Sequence, residues 1–233
     1  MVNQISAKFS SLVSSALSMS CGSVPLPLGL MLLLVAPLGT RALPQTRVDA
    51  RQAFLSKLSA AATERTKLVV RYDSAYVKIP YPNGDVPTGT GVCTDEVIRS
   101  YRALGIDLQR DVHEDMQRNF PAYPNQRRWL LSHTDTNIDH RRVPNLQVFF
   151  SRKGESLPIT LNGSDYLPGE LVTWDLGGGI PHIGIVVNQK SPASGRYLVE
   201  HNIGAGPKVE DVLFSWKITG HYRYFGLGGD AQH

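Results

Sequence analysis

Cysteine is scarce in this sequence, because only Cys21 and Cys93 occur among its 233 residues. Past residue 42 Cys93 stands alone, which excludes a disulfide framework of the kind that stabilises small secreted domains. Charge is scarce at the start of the chain, since Lys8 is the only charged residue before Arg41. These two features distinguish a weakly charged leader from a main region that has a single cysteine.

The leader has the composition of a secretory signal peptide. Residues 24–38 are almost wholly apolar, but they are fewer than the roughly 20 residues that a membrane-spanning helix needs. Thr40-Arg41-Ala42 resembles a small-x-small cleavage site. We therefore predict a signal peptide over residues 1–42, a periplasmic or secreted protein, and no stable membrane insertion after cleavage. An uncleaved anchor is the alternative.

Clusters of basic residues and internal repeats are also missing. The net charge is only +4 and the basic residues are scattered, so composition does not indicate a nucleic-acid-binding protein. The roughly 190 residues after the leader fit one domain with a sizeable core. Their patterns predict helices over 46–71, 94–104 and 107–119, irregular structure over 72–92 and 121–144, and strands at 146–150, 171–175, 183–187, 197–202 and 218–225. Helices followed by strands indicate an α+β fold with an antiparallel sheet.

Cys93 follows the glycine-rich loop Gly89–Gly91 and begins a helical pattern. A helix start favours a thiolate, but by only about 0.3–1 kcal/mol, which is less than one pKa unit. Asp95 and Glu96 in the first turn oppose even that effect. A reactive cysteine here therefore needs a protonated histidine, and with one we expect a thiol pKa well below about 8.5. A buried, inert cysteine is the alternative interpretation.

Two histidines lie at the ends of neighbouring predicted strands. His182 begins one strand, His201 ends the next, and the segment between them has the composition of a hairpin loop. One register places Asn202 opposite His182, and a slip by one residue places His201 there instead. We assign His182 as the base and His201 as its orienting partner, with Asn202 as the substitute.

These motifs, in this order, resemble the NlpC/P60-type, papain-like cysteine peptidases of bacterial cell-wall metabolism. The resemblance is carried by Cys93 at a helix start, by the strand that begins His182-Ile183-Gly184-Ile185, and by His201. The short sequence motifs at residues 91–95, 107–109, 137–142 and 220–223 most resemble those of the bacterial family called domain of unknown function 1287. One departure is that Val92-Cys93-Thr94-Asp95 replaces the usual Asp-Cys-Ser-Gly.

The resemblance implies a hydrolase of Cys-His-His type, with Cys93, His182 and His201 as catalytic residues and an amide of peptidoglycan peptides as substrate. It implies no cofactor or metal. It also places a tyrosine near the nucleophile; of the loop tyrosines we assign Tyr81 to substrate binding, together with Asp95 and Asn202. The predicted domains are an N-terminal helical segment (43–66), an NlpC/P60-like catalytic domain (67–226) and a tail (227–233).

Three alternatives remain open at this point. A thiol acyltransferase or transglutaminase-like enzyme would use the same triad, because an acyl-enzyme can pass to an amine instead of water. A wall-binding domain without catalytic activity could share the fold. A metal site is the third, on the polar cluster of His133, Asp135, Asp139 and His140, but the spacing matches no standard ligand pattern and favours a capped turn.

Overall fold

Apart from two short strands, the helices precede the strands along the described part of this chain. The computed structural model describes residues 44–227, with side chains described from residue 47, so the predicted signal peptide lies outside it. The helices are α1 (Pro44–Arg65), α2 (Cys93–Arg102), α3 (Leu108–Asn119), α4 (Asn125–Trp129) and α5 (Val143–Lys153). The strands are β1 (Arg71–Tyr72), β2 (Thr90–Gly91), β3 (Glu155–Ser156), β4 (Leu171–Asp175), β5 (Pro181–Lys190), β6 (Tyr197–His201), β7 (Lys208–Glu210) and β8 (Lys217–Arg223).

Six of the strands form one antiparallel sheet with the order β3-β8-β4-β5-β6-β7. The short strands β1 and β2 form a separate parallel pair just before α2. The α+β class with an antiparallel sheet is therefore confirmed. In this order β5 is a central strand, flanked by β4 on one side and by β6 on the other.

Alternation along β5 divides the core between the two faces of the sheet. Ile183, Ile185 and Val187 pack with the apolar stripes of the helices, whereas Val186 packs with Trp174 in a second cluster. Successive side chains of a strand point to opposite faces, so the helices cover only one of them. Helix α2, which carries Cys93 as its first residue, packs directly on β5.

The N-terminal helix is part of this core. Leu58 and Ala62 of α1 are fully buried in the main cluster, and α1 packs on both α2 and β5. The described residues belong to one compact unit. Within residues 44–227 no helix is long and apolar enough to cross a lipid bilayer.

One predicted strand is wrong, because residues 146–150 lie inside helix α5. A short apolar run fits a buried helix as well as a strand, and periodicity alone does not separate the two. The buried residues of α5 recur at helical spacing, and Pro144 stands in its first turn, where proline is favoured. The other differences are smaller: α1 ends at Arg65, strands β1 and β2 lie at the ends of the predicted loop 72–92, and α4 interrupts the predicted irregular segment 121–144.

Candidate active site

Cys93 is a free, buried thiol at the start of α2. Helix α2 begins here because the carboxylate of Asp95 accepts a hydrogen bond from the backbone N–H of Val92, at 2.7 Å. The backbone N–H groups of Thr94 and of Ile183, the residue after His182, lie close enough to the sulfur to favour its ionised form. Cys93 is 5% exposed. Burial raises the pKa of its thiol to about 12, which outweighs these N–H groups.

His182 is the second residue of β5 and is 2% exposed. Its Nε2 lies 3.0 Å from Nδ1 of His201, and the two rings are nearly perpendicular. Burial, together with a smaller contribution from the neighbouring His201, lowers the pKa of His182 to about 3. The sequence reasoning expected a thiolate paired with an imidazolium. Burial instead raises the pKa of Cys93 and lowers that of His182, and both shifts disfavour the charged forms. The resting pair is therefore a neutral thiol and a neutral imidazole.

The strand register places His201 on the same face as His182, but neither of the two registers considered above is the observed one. Ile185 pairs with Glu200, so the continued register places His201 diagonally from His182, opposite Gly184. An irregularity between Val186 and Lys190 shifts the hairpin, and a sequence does not display such a bulge.

Gly184 permits the close approach of β6 to β5. A Cβ atom at this position would lie 2.6 Å from the carbonyl oxygen of Glu200 and 3.2 Å from Cβ of His201. A side chain at position 184 would therefore force the two strands apart at the point where the histidines meet.

A carboxylate continues the chain of hydrogen bonds beyond His201. Nε2 of His201 lies 3.1 Å from Oε2 of Glu210, which is on the adjacent strand β7. Burial lowers the pKa of His201, whereas the charge of Glu210 and its hydrogen bond act in the opposite sense. Glu210 was not among the residues predicted from the sequence, because the pairing of β6 with β7 leaves no local signal.

Two tryptophans surround the histidines. Trp174 is paired with His182 across β4 and β5, with ring centroids 5.9 Å apart. The ring of Trp216 lies 6.1 Å from each histidine ring. These rings exclude water from the imidazoles, which is the physical cause of the desolvation described above.

Tyr72 is the loop tyrosine that has Cys93 as an electrostatic neighbour. It pairs with Gly91 in the β1–β2 ladder, and burial together with the carboxylate of Asp95 raises its pKa. The predicted substrate-binding residue Tyr81 packs instead against the ring of His113 on α3, with centroids 5.0 Å apart. The signal that could have distinguished Tyr72 is the extended Val69-Val70-Arg71-Tyr72 segment, whose pairing with Thr90-Gly91 leads into Cys93.

The other two predicted substrate-binding residues have internal partners. Asp95 forms two hydrogen bonds with Arg141, Oδ1 to Nε at 2.8 Å and Oδ2 to Nη2 at 2.9 Å, in a pair that is almost completely buried. This pair ties the start of α2 to the turn at Asp139–Arg141. Asn202 is also buried; its Oδ1 accepts the backbone N–H of Gly204, and its Nδ2 has no partner within the described residues.

The contacts of the polar cluster at residues 133–142 are those of a capped turn. Asp139 accepts hydrogen bonds from Asn125, from the backbone of Asp135 and from Arg142. Asp135 in turn binds Asn137. Across residues 44–227 there is no group of three or more His, Cys, Asp or Glu side chains that could hold a metal ion.

Comparison with known proteins identifies the family. The model described as Domain of unknown function (DUF1287) matches residues 59–224. The chain belongs to the DUF1287 family. The matched DUF1287 region contains Cys93, His182, His201 and Glu210. A relative is the uncharacterized protein YijF of Escherichia coli (strain K12), which is 48% identical over 184 residues, covering 79% of this chain and 88% of the relative.

Proposed function

We propose that this protein is a cysteine hydrolase in which Cys93 attacks an amide carbonyl and His182 is the base. One observation carries the proposal: the thiol lies against the backbone N–H that follows His182, and His182 is held by His201 at 3.0 Å. Nucleophile, base and orienting residue thus come from α2, β5 and β6. Cysteine-nucleophile chemistry requires the thiol within hydrogen-bond reach of its base, and the closeness of Cys93 to the residue after His182 supports such a reach.

The proposed reaction starts from a neutral pair. As the sulfur–carbon bond forms, the thiol proton passes to His182, and negative charge develops on the carbonyl oxygen. N–H groups in the first turn of α2 stabilise that charge. Collapse of the tetrahedral intermediate breaks the carbon–nitrogen bond, the leaving amine takes the proton from His182, and water then hydrolyses the thioester.

We further propose a papain-like fold of NlpC/P60 type, a peptidoglycan amide as the substrate and a periplasmic or secreted location. Support for the fold comes from a cysteine-bearing helix packed on an antiparallel sheet that carries both histidines. Support for the location is the apolar, weakly charged leader at residues 1–42. A cell-wall peptide is an amide substrate available to an exported hydrolase.

The test is digestion of purified peptidoglycan with the purified protein, followed by mass analysis of the soluble fragments. We expect fragments that gain one water per cleaved amide, and none with Cys93→Ala. An added amine such as glycine methyl ester separates hydrolysis from acyl transfer, because transfer gives an amide product instead. Peptidoglycan that binds the protein but remains uncut would contradict the hydrolase and favour a wall-binding domain.

A further inference from the structure

The chain of hydrogen bonds at the candidate site has a solvent-facing end. His182 and His201 are buried, whereas the side chain of Glu210 is 43% exposed. The three residues stand on adjacent strands, β5, β6 and β7, and their two contacts measure 3.0 and 3.1 Å. From this geometry we propose that Glu210 is a positioning residue, which sets the tautomers of both histidines so that Nδ1 of His182 is the atom that takes the thiol proton. This inference rests on the proposed function.

The argument begins with the carboxylate. An ionised carboxylate can only accept hydrogen bonds, so Nε2 of His201 carries the hydrogen. Burial lowers the pKa of His201, and a neutral ring has only one N–H, so Nδ1 of His201 is an acceptor. The hydrogen in the contact between the histidines therefore belongs to Nε2 of His182.

The tautomer of His182 follows in the same way. With its hydrogen on Nε2, the neutral ring has a free lone pair on Nδ1. Nδ1 makes no hydrogen bond with any residue from 44 to 227, whereas both nitrogens of His201 are occupied. When the S–H bond of Cys93 breaks and the N–H bond forms at Nδ1, His182 becomes an imidazolium whose Nε2–H still points to His201.

Glu210 also stabilises that imidazolium. Its negative charge lies one ring away from His182, in surroundings from which Trp174 and Trp216 exclude water. A neutral amide in its place would supply no charge, and because it can donate as well as accept, it would not fix the tautomer. The neighbouring Asp211 does not share this role, because its carboxylate binds Ser194 and Arg196.

The experiment combines tautomer measurement with kinetics. ¹⁵N-histidine NMR of the purified protein reports which nitrogen of each ring carries hydrogen, without any substrate. We expect the Nε2–H form for both His182 and His201. Glu210→Ala removes the acceptor, and Glu210→Gln keeps the shape but can also donate, so both variants should show mixed tautomers. We expect kcat to fall roughly 10- to 100-fold with little change in KM.

Asp211→Asn is the matched control, since it removes one negative charge from the next residue without touching His201. It should leave both tautomers and kcat unchanged. The proposal is overturned if wild-type His182 carries its hydrogen on Nδ1, or if both Glu210 variants keep wild-type tautomers or wild-type kcat. A wild-type protein that shows the expected tautomers but cuts no amide would instead refute the hydrolase and leave the relay of hydrogen bonds standing.

Discussion

Glu200 and His201 are neighbours on β6 and are equally buried, but they face opposite sides of the sheet and differ in their hydrogen bonds. His201 uses both ring nitrogens, one toward His182 and one toward Glu210. Both carboxylate oxygens of Glu200 lack a hydrogen-bond partner in the part of the chain that the structure describes. The difference teaches that burial alone does not decide the chemistry of a polar group. What matters is whether hydrogen bonds connect it to solvent.

The Glu200 side is a cluster of charges between α1, α2 and β6. Glu96 binds Nε of Arg65 at 2.7 Å, and Arg99 lies 3.5 Å from its other oxygen. Burial and the charge of Glu96 raise the pKa of Glu200 well above its usual value, and Arg65 only partly opposes them. We therefore assign this side to holding the helices on the sheet, and the His201 side to reaction chemistry.

The largest expected effect separates the two sides by activity. His182→Ala should lower kcat by roughly 10⁴-fold or more, because a nucleophile and its base act as a unit. Glu200→Gln, one residue before His201 but on the other face of the sheet, should leave kcat unchanged. Amide-cleavage assays with matched circular dichroism spectra test both. Equal losses of kcat in the two variants would show that the two faces of β6 do not differ in function.

A second prediction concerns the thiol. With a pKa of about 12, Cys93 should react with iodoacetamide at neutral pH roughly 10³-fold more slowly than an ordinary thiol of pKa about 8.5. The rate should rise with pH and show no plateau below pH 9. The urea-unfolded protein is the control and should titrate normally. A plateau below pH 8 would mean that an ion pair already exists at rest.

The third prediction concerns the charge cluster around Glu96 and Glu200. Arg65→Ala leaves the buried Glu96 with only its longer 3.5 Å contact to Arg99, and breaking the close pair should lower the free energy of unfolding by about 3 kcal/mol. Lys67→Ala is the matched control, because its pair with Glu64 is exposed and should contribute almost nothing. Urea denaturation at pH 7 measures both. If the two variants lose similar amounts of unfolding free energy, the buried charge cluster does not contribute to the stability of the fold.

The smallest effect is a pH dependence of stability. Between the unfolded pKa near 4.5 and its higher folded pKa, Glu200 keeps a proton in the folded state that the unfolded chain has released. Stability from this group therefore falls as pH rises through that interval. Glu200→Gln removes the dependence and should be more stable than wild type at neutral pH. The two proteins should converge below pH 4.5; a constant difference at every pH would contradict the assignment.

Local patterns predicted much of this molecule from its sequence. The patterns of residues 94–104, 107–119 and 183–187 correctly predicted α2, α3 and the centre of β5. Strand alternation narrowed the partner of His182 to His201 or Asn202, and the structure selects His201. The exact register did not follow, because it depends on an irregularity in the hairpin. Glu210 and Tyr72 were missed because pairing between strands, rather than spacing along the chain, brings them to the site.

Gly184 gives a criterion for interpreting related sequences. A methyl group there would collide with the backbone of β6 and move His201 away from His182. A relative could therefore keep the cysteine and both histidines yet have lost the contact between the rings through a single alanine. If the proposed hydrolase function holds, such a chain would keep the three proposed catalytic residues and still be inactive, so residue 184 should be compared together with them.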